Sequence, residues 1–293
     1  MRWLTPRQQK ALFPYLLVLP GVIAIAALLV YPLLRGIWSS FYTHQPLDIT
    51  QYRFVGLEHY RALLADRVFY TALKHTVIWT VGIVAVHYAL GLIIALLLNQ
   101  DIPGRSVFRA LILIPWVVPN ISAALTWRWM YAEQFGVINQ MLNAIGLASI
   151  NWLGRLDTAL GSVMATAIWK GTPFVAVVLL AALQTIPDEL YEASAIEGAN
   201  AWQNFWYVTF PLMRGVTTII LLLTAIWTFN QFDIIWIMTK GGPANVTQIL
   251  PVYTYLNAFS FFKFNYAAAI GTVGVVILAV LAGFVLRASK EEE

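Results

Sequence analysis

Six stretches of this sequence stay apolar for about 20 residues or more, the length a helix needs to cross the hydrocarbon of a bilayer. They are Ala11–Leu34, His75–Gln100, Ala110–Tyr131, Thr158–Leu183, Leu212–Met238 and Tyr266–Leu286. A chain built this way cannot close around one core with a wet surface. Only 11% of its residues are charged and 60% are hydrophobic, with mean hydropathy +0.71. A soluble domain carries roughly 25% charged residues. Most of the surface therefore faces lipid, and the expected fold class is all-α, a polytopic membrane protein with six transmembrane helices. The first run follows Arg2, Arg7 and Lys10, as a signal peptide would. It exceeds the 7–15 residues typical of a signal core, so it is read as an uncleaved span.

Charge excludes several roles. The net charge is +4, but the basic residues are scattered, and nucleic-acid binding needs a clustered patch. There is no cysteine, which removes disulfides, thiolate metal sites and a cysteine nucleophile. With six spans both termini share one side. That side carries Arg2, Arg7, Lys10, Arg105, Arg109, Arg214, Arg287 and Lys290, and the other carries Arg53, Arg61, Arg67, Lys74, Arg155, Lys240 and Lys263. The balance is nearly even. Weighting the helix ends and short loops favours cytoplasmic termini. The acidic tail Glu291–Glu293 reads as solvated.

The connections are unequal. Residues 36–74 form a long polar segment holding one short amphipathic stretch, Leu57–Leu64. Residues 132–157 mix Asn139, Asn143 and Asn151 with apolar residues, as an interfacial helix does. The expected division is residues 1–74, with the first span and its external loop, and residues 75–293, a five-helix core.

Pro187–Pro211 is the most informative loop. Pro187 stops the preceding helix. Asp188 is expected to N-cap a short helix, with Glu189 in its first turn. Gly198 fits a left-handed position closing that helix. Asn200 with Gln203 three residues later has the spacing of a capping box. Small residues, Ala193, Ser194, Ala195 and Ala199, line this helical hairpin. Plain packing and docking of a partner both remain open on these residues alone.

The loop resembles a family. Glu192-Ala193-Ser194, then Gly198, then Val208-Thr209-Phe210-Pro211 is similar to the EAA loop of binding-protein-dependent ABC import permeases. Ser194, Val208 and Phe210 depart mildly from that pattern. Leu111-Ile112-Leu113-Ile114-Pro115, Trp169-Lys170-Gly171-Thr172-Pro173-Phe174, Phe232-Asp233-Ile234, Thr239-Lys240-Gly241-Gly242-Pro243 and Thr247 resemble the carbohydrate subgroup, the maltose/glycerol-phosphate/lactose permease type. The resemblance runs from about residue 11 to the end. It implies a type I importer permease in a bacterial or archaeal cell membrane, the inner membrane where there are two, with cytoplasmic termini. It implies a second homologous permease subunit, two ATP-binding subunits that hold ATP and magnesium, and an extracytoplasmic sugar-binding protein. Glu192, Ala193 and Gly198 would then carry ATPase docking. The chain itself would be no enzyme, and it shows no G-x-x-x-x-G-K-[ST] phosphate loop.

Polar residues inside spans mark a pathway or a helix contact. Thr217, Thr224, Thr228 and Gln231 fall within about 60° of one face of the fifth helix, and Trp227 borders them. Hydroxyls, an amide and an aromatic face suit a sugar; threonines that glue helices are the alternative. The family resemblance places sugar contacts here too, so Thr224, Trp227, Thr228 and Gln231 are the leading candidates. A straight helix would turn Asp233 to the opposite face. Pro173 should break the fourth helix beside a cavity, which adds Lys170, Gly171 and Phe174; a lysine snorkelling to the interface is the alternative for Lys170. Pro115 and Pro119, with Asn120 beside them, suggest a structural kink. His75 and His87 lie too far apart on one helix to share a site and read as structural, so neither catalytic nor metal-binding residues are expected. The function implied is import of a di- or oligosaccharide. Glycerol phosphate is the alternative within the family, and an ion-coupled secondary transporter is the alternative outside it.

Overall fold

A computed structural model of the chain describes residues 6–45 and 48–290. Arg2 and the acidic tail Glu291–Glu293 lie outside the described residues. In chain order, α1 (Pro6–Ile25) continues through a π turn at Ala26–Val30 into α2 (Tyr31–Ser39). Strands β1 (Tyr42–Gln45) and β2 (Asp48–Phe54) and helix α3 (Glu58–Ala65) follow. Next come α4 (Arg67–Asn99), α5 (Arg105–Val117), α6 (Asn120–Met130), α7 (Val137–Ala144) and α8 (Ala159–Leu183). Helices α9 (Asp188–Ile196) and α10 (Ala201–Asn204) lead through a π turn at Phe205–Thr209 into α11 (Phe210–Phe229), then α12 (Asp233–Met238). Last are α13 (Leu250–Tyr255), a π turn at Leu256–Ser260, and α14 (Phe264–Lys290).

Among the described residues, five helical stretches are long and apolar enough to cross a membrane: Pro14–Ser39, Arg67–Asn99, Ala159–Leu183, Ala201–Met238 and Phe264–Arg287. Helices α5 and α6 make a sixth if the bent pair is one span, and they meet at 90°. The six-span expectation holds in this form. The bend has a local cause. Val118 precedes Pro119, and the residue before a proline is pushed out of the helical region; Val118 sits at φ −60°, ψ 128°. A kink was expected there, not a right angle.

The chain divides into two compact units, residues 1–65 with 254–275, and residues 66–253 with 276–293. In the first, β1 and β2 pair antiparallel, Tyr42 opposite Phe54 and Thr43 opposite Arg53. This hairpin lies in the segment expected to be merely polar. Trp38 stacks on Tyr42 with ring centroids 4.0 Å apart, and the Ser40 hydroxyl lies 2.6 Å from Tyr60 Oη. Asn265 Nδ2 donates to the Ser39 carbonyl at 2.9 Å.

In the second unit α4 packs along α8, with α11 against both. Lipid gives helices no hydrophobic reason to associate, so close packing must hold them. The contact is accordingly close at small residues: a Cβ on Gly82 would lie 2.6 Å from Met164 Cε and one on Gly91 2.9 Å from Val175 Cγ1, and Ala95, Leu179 and Ala182 share one buried cluster. Asp66 caps α4, accepting from Val68 N at 2.8 Å, and it also accepts from the Tyr253 hydroxyl. Trp79 Nε1 donates to the Thr228 carbonyl at 3.0 Å and fixes α11 against α4. Helix α8 runs unbroken through Pro173, contrary to the expected break. The breaks fall at Val118–Pro119 and at Asn230–Phe232.

Candidate functional site

Those two breaks shape a cavity of about 430 Å³ inside the second unit. Helix α8 supplies Ala167, Lys170, Gly171, Phe174 and Val175 to its wall, and α11 supplies Thr224, Ile226, Trp227 and Thr228. The turn after α11 adds Asn230, Gln231 and Phe232, α12 adds Asp233, the α5–α6 corner adds Trp116 and Asn120, and α4 adds His87. Thr224, Trp227, Thr228, Gln231, Gly171, Phe174 and Lys170, singled out from sequence, therefore line one space. Thr217 does not line it; its hydroxyl lies 3.4 Å from Tyr88 Oη.

Asp233 requires a correction. Helix α11 ends at Phe229, the chain turns, and Asp233 opens a new helix facing the same cavity as Thr228. Its carboxylate accepts from Asn120 Nδ2 at 3.3 Å. Trp116, Asn120 and His87 were missed as lining residues because they come from other elements. His87 sits there because Gly171 leaves room for it. A Cβ at Gly171 would lie 2.4 Å from His87 Cε1. The ring donates from Nε2 to the Ala167 carbonyl at 3.3 Å.

The wall has two chemistries. Phe174 stacks on Trp116 with centroids 5.6 Å apart and 21° between planes, and it tilts against Trp227 at 5.4 Å. This is a continuous aromatic face. Opposite kinds of group, the amides of Asn120, Asn230 and Gln231, the Thr228 hydroxyl and the Asp233 carboxylate, supply donors and acceptors. Thr224 Oγ1 and His87 Nδ1 are buried and have no hydrogen-bond partner among the described residues. Such a mixture of apolar surface and a few placed polar groups is how pockets hold and orient small polar ligands.

The loop between α8 and α11 is a second feature. Pro187, not Asp188, holds the cap position of α9, at φ −62°, ψ 135°, with no side-chain bond; Asp188 and Glu189 sit in the first turn. Gly198 adopts φ +83°, the left-handed conformation expected of it. The capping box is formed: Gln203 N donates to Asn200 Oδ1 at 3.0 Å and Asn200 N to Gln203 Oε1 at 2.8 Å. Ser194 Oγ lies 2.7 Å from Asn204 Oδ1 and Tyr191 Oη 2.9 Å from Thr209 Oγ1, which ties the two arms together. Glu192, Ala193 and Gly198 are exposed. So are Ile196, Trp202 and Tyr207, at 88%, 70% and 80%. A fixed helical hairpin thus carries an outward face that is partly aromatic.

A third feature follows α12. Thr239 Oγ1 and Thr247 Oγ1 lie 2.7 Å apart, and Thr247 donates to the Gly242 carbonyl at 2.7 Å. Lys240, Gly241, Ala244 and Asn245 all have positive φ between them. The glycine-rich motif is a tight turn pinned by two threonines.

Residues 87–290 match the family model for the binding-protein-dependent transport system inner membrane component. The chain is 37% identical over 288 residues to a probable ABC transporter permease protein of Brucella suis, covering 97% of this chain and 99% of that one. It is 34% identical over 272 residues to the trehalose/maltose transport system permease protein MalF of Thermococcus litoralis, 93% and 92% of the two chains. It is 33% identical over 289 residues to the diacetylchitobiose uptake system permease protein DasB of Streptomyces coelicolor, 97% and 88%. The fold is shared with a solved bacterial ABC transporter involved in import of the acidic polysaccharide alginate. That match has TM-score 0.85 at 22% identity, over 97% of this chain and 98% of the other.

Proposed function

The chain belongs to the family of binding-protein-dependent transport system inner membrane components, and from that premise we propose that it forms half of the membrane pathway of an ATP-driven importer of di- or oligosaccharides. The observation that carries the sugar reading is the cavity. Its aromatic face, Trp116, Phe174 and Trp227, suits the C–H faces of sugar rings. Gln231, Thr228, Asn120 and Asp233 suit the hydroxyls. Relatives named for trehalose/maltose and diacetylchitobiose uptake support the same substrate class.

The coupling element is the exposed hairpin. It lies in the chain between α8 and α11, the two helices that furnish most of the cavity wall. Ala201–Phe229 is helical throughout, roughly 43 Å at 1.5 Å per residue, and so acts as a lever. A push on α9 from an ATP-binding subunit reaches both walls through covalent, helical connections. Glu192, Ala193 and Gly198 carry that docking, with the termini and hairpin in the cytoplasm. The partners are a second permease, two ATP-binding subunits that hold ATP and magnesium, and an extracytoplasmic sugar-binding protein. The chain itself catalyses nothing.

Reconstitution tests this. The purified chain alone in liposomes is expected neither to hydrolyse ATP nor to take up sugar. Both activities are expected only with the second permease, the ATP-binding subunits and the binding protein together. Robust uptake by the chain alone would overturn the reading.

A further inference from the structure

Lys170 lies within the span of α8, where a cation is costly unless something holds it. The holder is visible. Helix α5 ends at Val117 because Pro119 forces Val118 into extended backbone, and the last carbonyls of a helix have no amide partner within it. Within a membrane such carbonyls need a partner from the protein or from a cavity. Lys170 Nζ reaches across from α8 and donates to the Trp116 carbonyl at 3.1 Å and the Val118 carbonyl at 2.7 Å. A cation at a helix C-terminus is also favoured by the helix dipole. Two of the three N–H donors are thereby committed to the corner.

The corner carries two parts of the cavity. Trp116 stacks on Phe174, four residues beyond Lys170 on α8. Asn120, the first residue of α6, holds Asp233. We propose that Lys170 is a positioning residue: its ammonium ties the α5–α6 corner to α8 and so holds Trp116 and Asn120 in place around the cavity, rather than receiving an anionic group of the substrate. This rests on the cavity reading given above. It assigns the lysine to the wall and leaves substrate contacts to the aromatic face and the amides.

The absence of cysteine from the chain makes a direct test possible. Gln231→Cys places a thiol reporter in the cavity of the complete importer in nanodiscs. Its reaction rates with a neutral and a sulfonate-bearing methanethiosulfonate are then measured. Lys170→Met removes the ammonium and is expected to raise both rates about tenfold. That is the opening which losing a charge-assisted hydrogen bond permits. Lys170→Arg, which can still reach the carbonyls, is expected to keep the parent rates. A Lys170→Met variant that slows only the sulfonate reagent would overturn the proposal and make Lys170 an anion receptor. Unchanged rates with both reagents would overturn it too.

A second arm needs no substitution. Treatment with an amine-acetylating reagent, read by peptide mass spectrometry, is expected to modify the exposed Lys240 and Lys263 and spare Lys170. Equal modification of Lys170 would overturn the tether, and this arm decides if Lys170→Met does not assemble. Failure of Gln231→Cys to react in any nucleotide state would instead refute the cavity as a pathway, with the tether then judged on acetylation.

Discussion

The closest packing in the cavity wall gives the sharpest stability test. Gly171→Ala adds one methyl where His87 Cε1 would be 2.4 Å and Nε2 2.6 Å away. The ring is buried and cannot withdraw without giving up its 3.3 Å bond to the Ala167 carbonyl. Overpacking of this kind costs about 1–3 kcal/mol. The lost hydrogen bond adds about 1 kcal/mol. The gain in helix propensity from glycine to alanine returns about 1 kcal/mol. The net expectation is a loss of about 1–3 kcal/mol. For a chain of 293 residues, that lowers the unfolding midpoint by roughly 1–2 °C per kcal/mol. His87→Ala alone leaves a void and also destabilises, by about 2 kcal/mol. Once the ring is gone, the three atoms nearest the added methyl are gone with it, and Gly171→Ala is expected to be neutral or stabilising by up to about 1 kcal/mol. The cycle therefore shows a coupling of about 1–4 kcal/mol. The assay is thermal unfolding in detergent at one scan rate, followed by tryptophan fluorescence. An equal loss from Gly171→Ala in both backgrounds would refute the claim that His87 and Gly171 share one space. Gly271→Ala, whose Cβ would meet nothing within 4 Å, serves as the control.

Other consequences follow from the same geometry. Gly198→Val forces a β-branched residue to φ +83°, a cost of about 1–2 kcal/mol; binding-protein-stimulated ATPase is expected to collapse while the complex still assembles. Thr228→Val and Gln231→Leu keep shape but remove hydrogen-bonding groups, and should weaken sugar transport by about 1–3 kcal/mol each, with basal ATPase intact; unchanged uptake kinetics would return both residues to helix packing. Asn139 is buried and organises the connection after α6. Its two N–H donors serve the carbonyls of Ala132, Glu133 and Ile150, and its Oδ1 accepts from Ile150 N and Trp152 Nε1, each at 3.0 Å. Asn139→Ala is expected to raise amide exchange across residues 137–152 and to leave α8 protected.

What was legible in the sequence followed from local physics. A run of about 20 apolar residues has few other uses, so the spans emerged; the ends of the fourth and sixth were nearly right, whereas the second begins earlier, at Arg67, and the fifth at Ala201, because polar first turns extend a helix beyond its apolar run. Gly198 and the Asn200–Gln203 pair were readable because a left-handed cap and a capping box are decided within a few residues. Thr224, Trp227 and Thr228 were readable as one stripe because i, i+3 and i+4 spacing puts them on one helix face; Gln231 lies past the end of α11 and reaches the same cavity from the turn. Other features needed the tertiary fold. No proline or glycine marks the end of α11 at Phe229, so Asp233 was placed on the wrong face by assuming a straight helix. Pro173 signalled a break that close packing of α8 against α4 suppresses. Trp116, Asn120 and His87 belong to the cavity only because a right-angled corner and a glycine bring them there. The β1–β2 hairpin had a signal, the β-branched and aromatic residues Ile49, Tyr52 and Phe54, obscured by its polar surroundings.

The most direct test of the central claim is a structure of the assembled importer captured with its sugar in transit. Density for the sugar is expected against the aromatic face of Trp116, Phe174 and Trp227, within hydrogen-bonding reach of Gln231 and Thr228, with Lys170 still on the Trp116 and Val118 carbonyls. A sugar resolved elsewhere in the membrane, with this cavity closed and empty in every nucleotide state, would contradict the account.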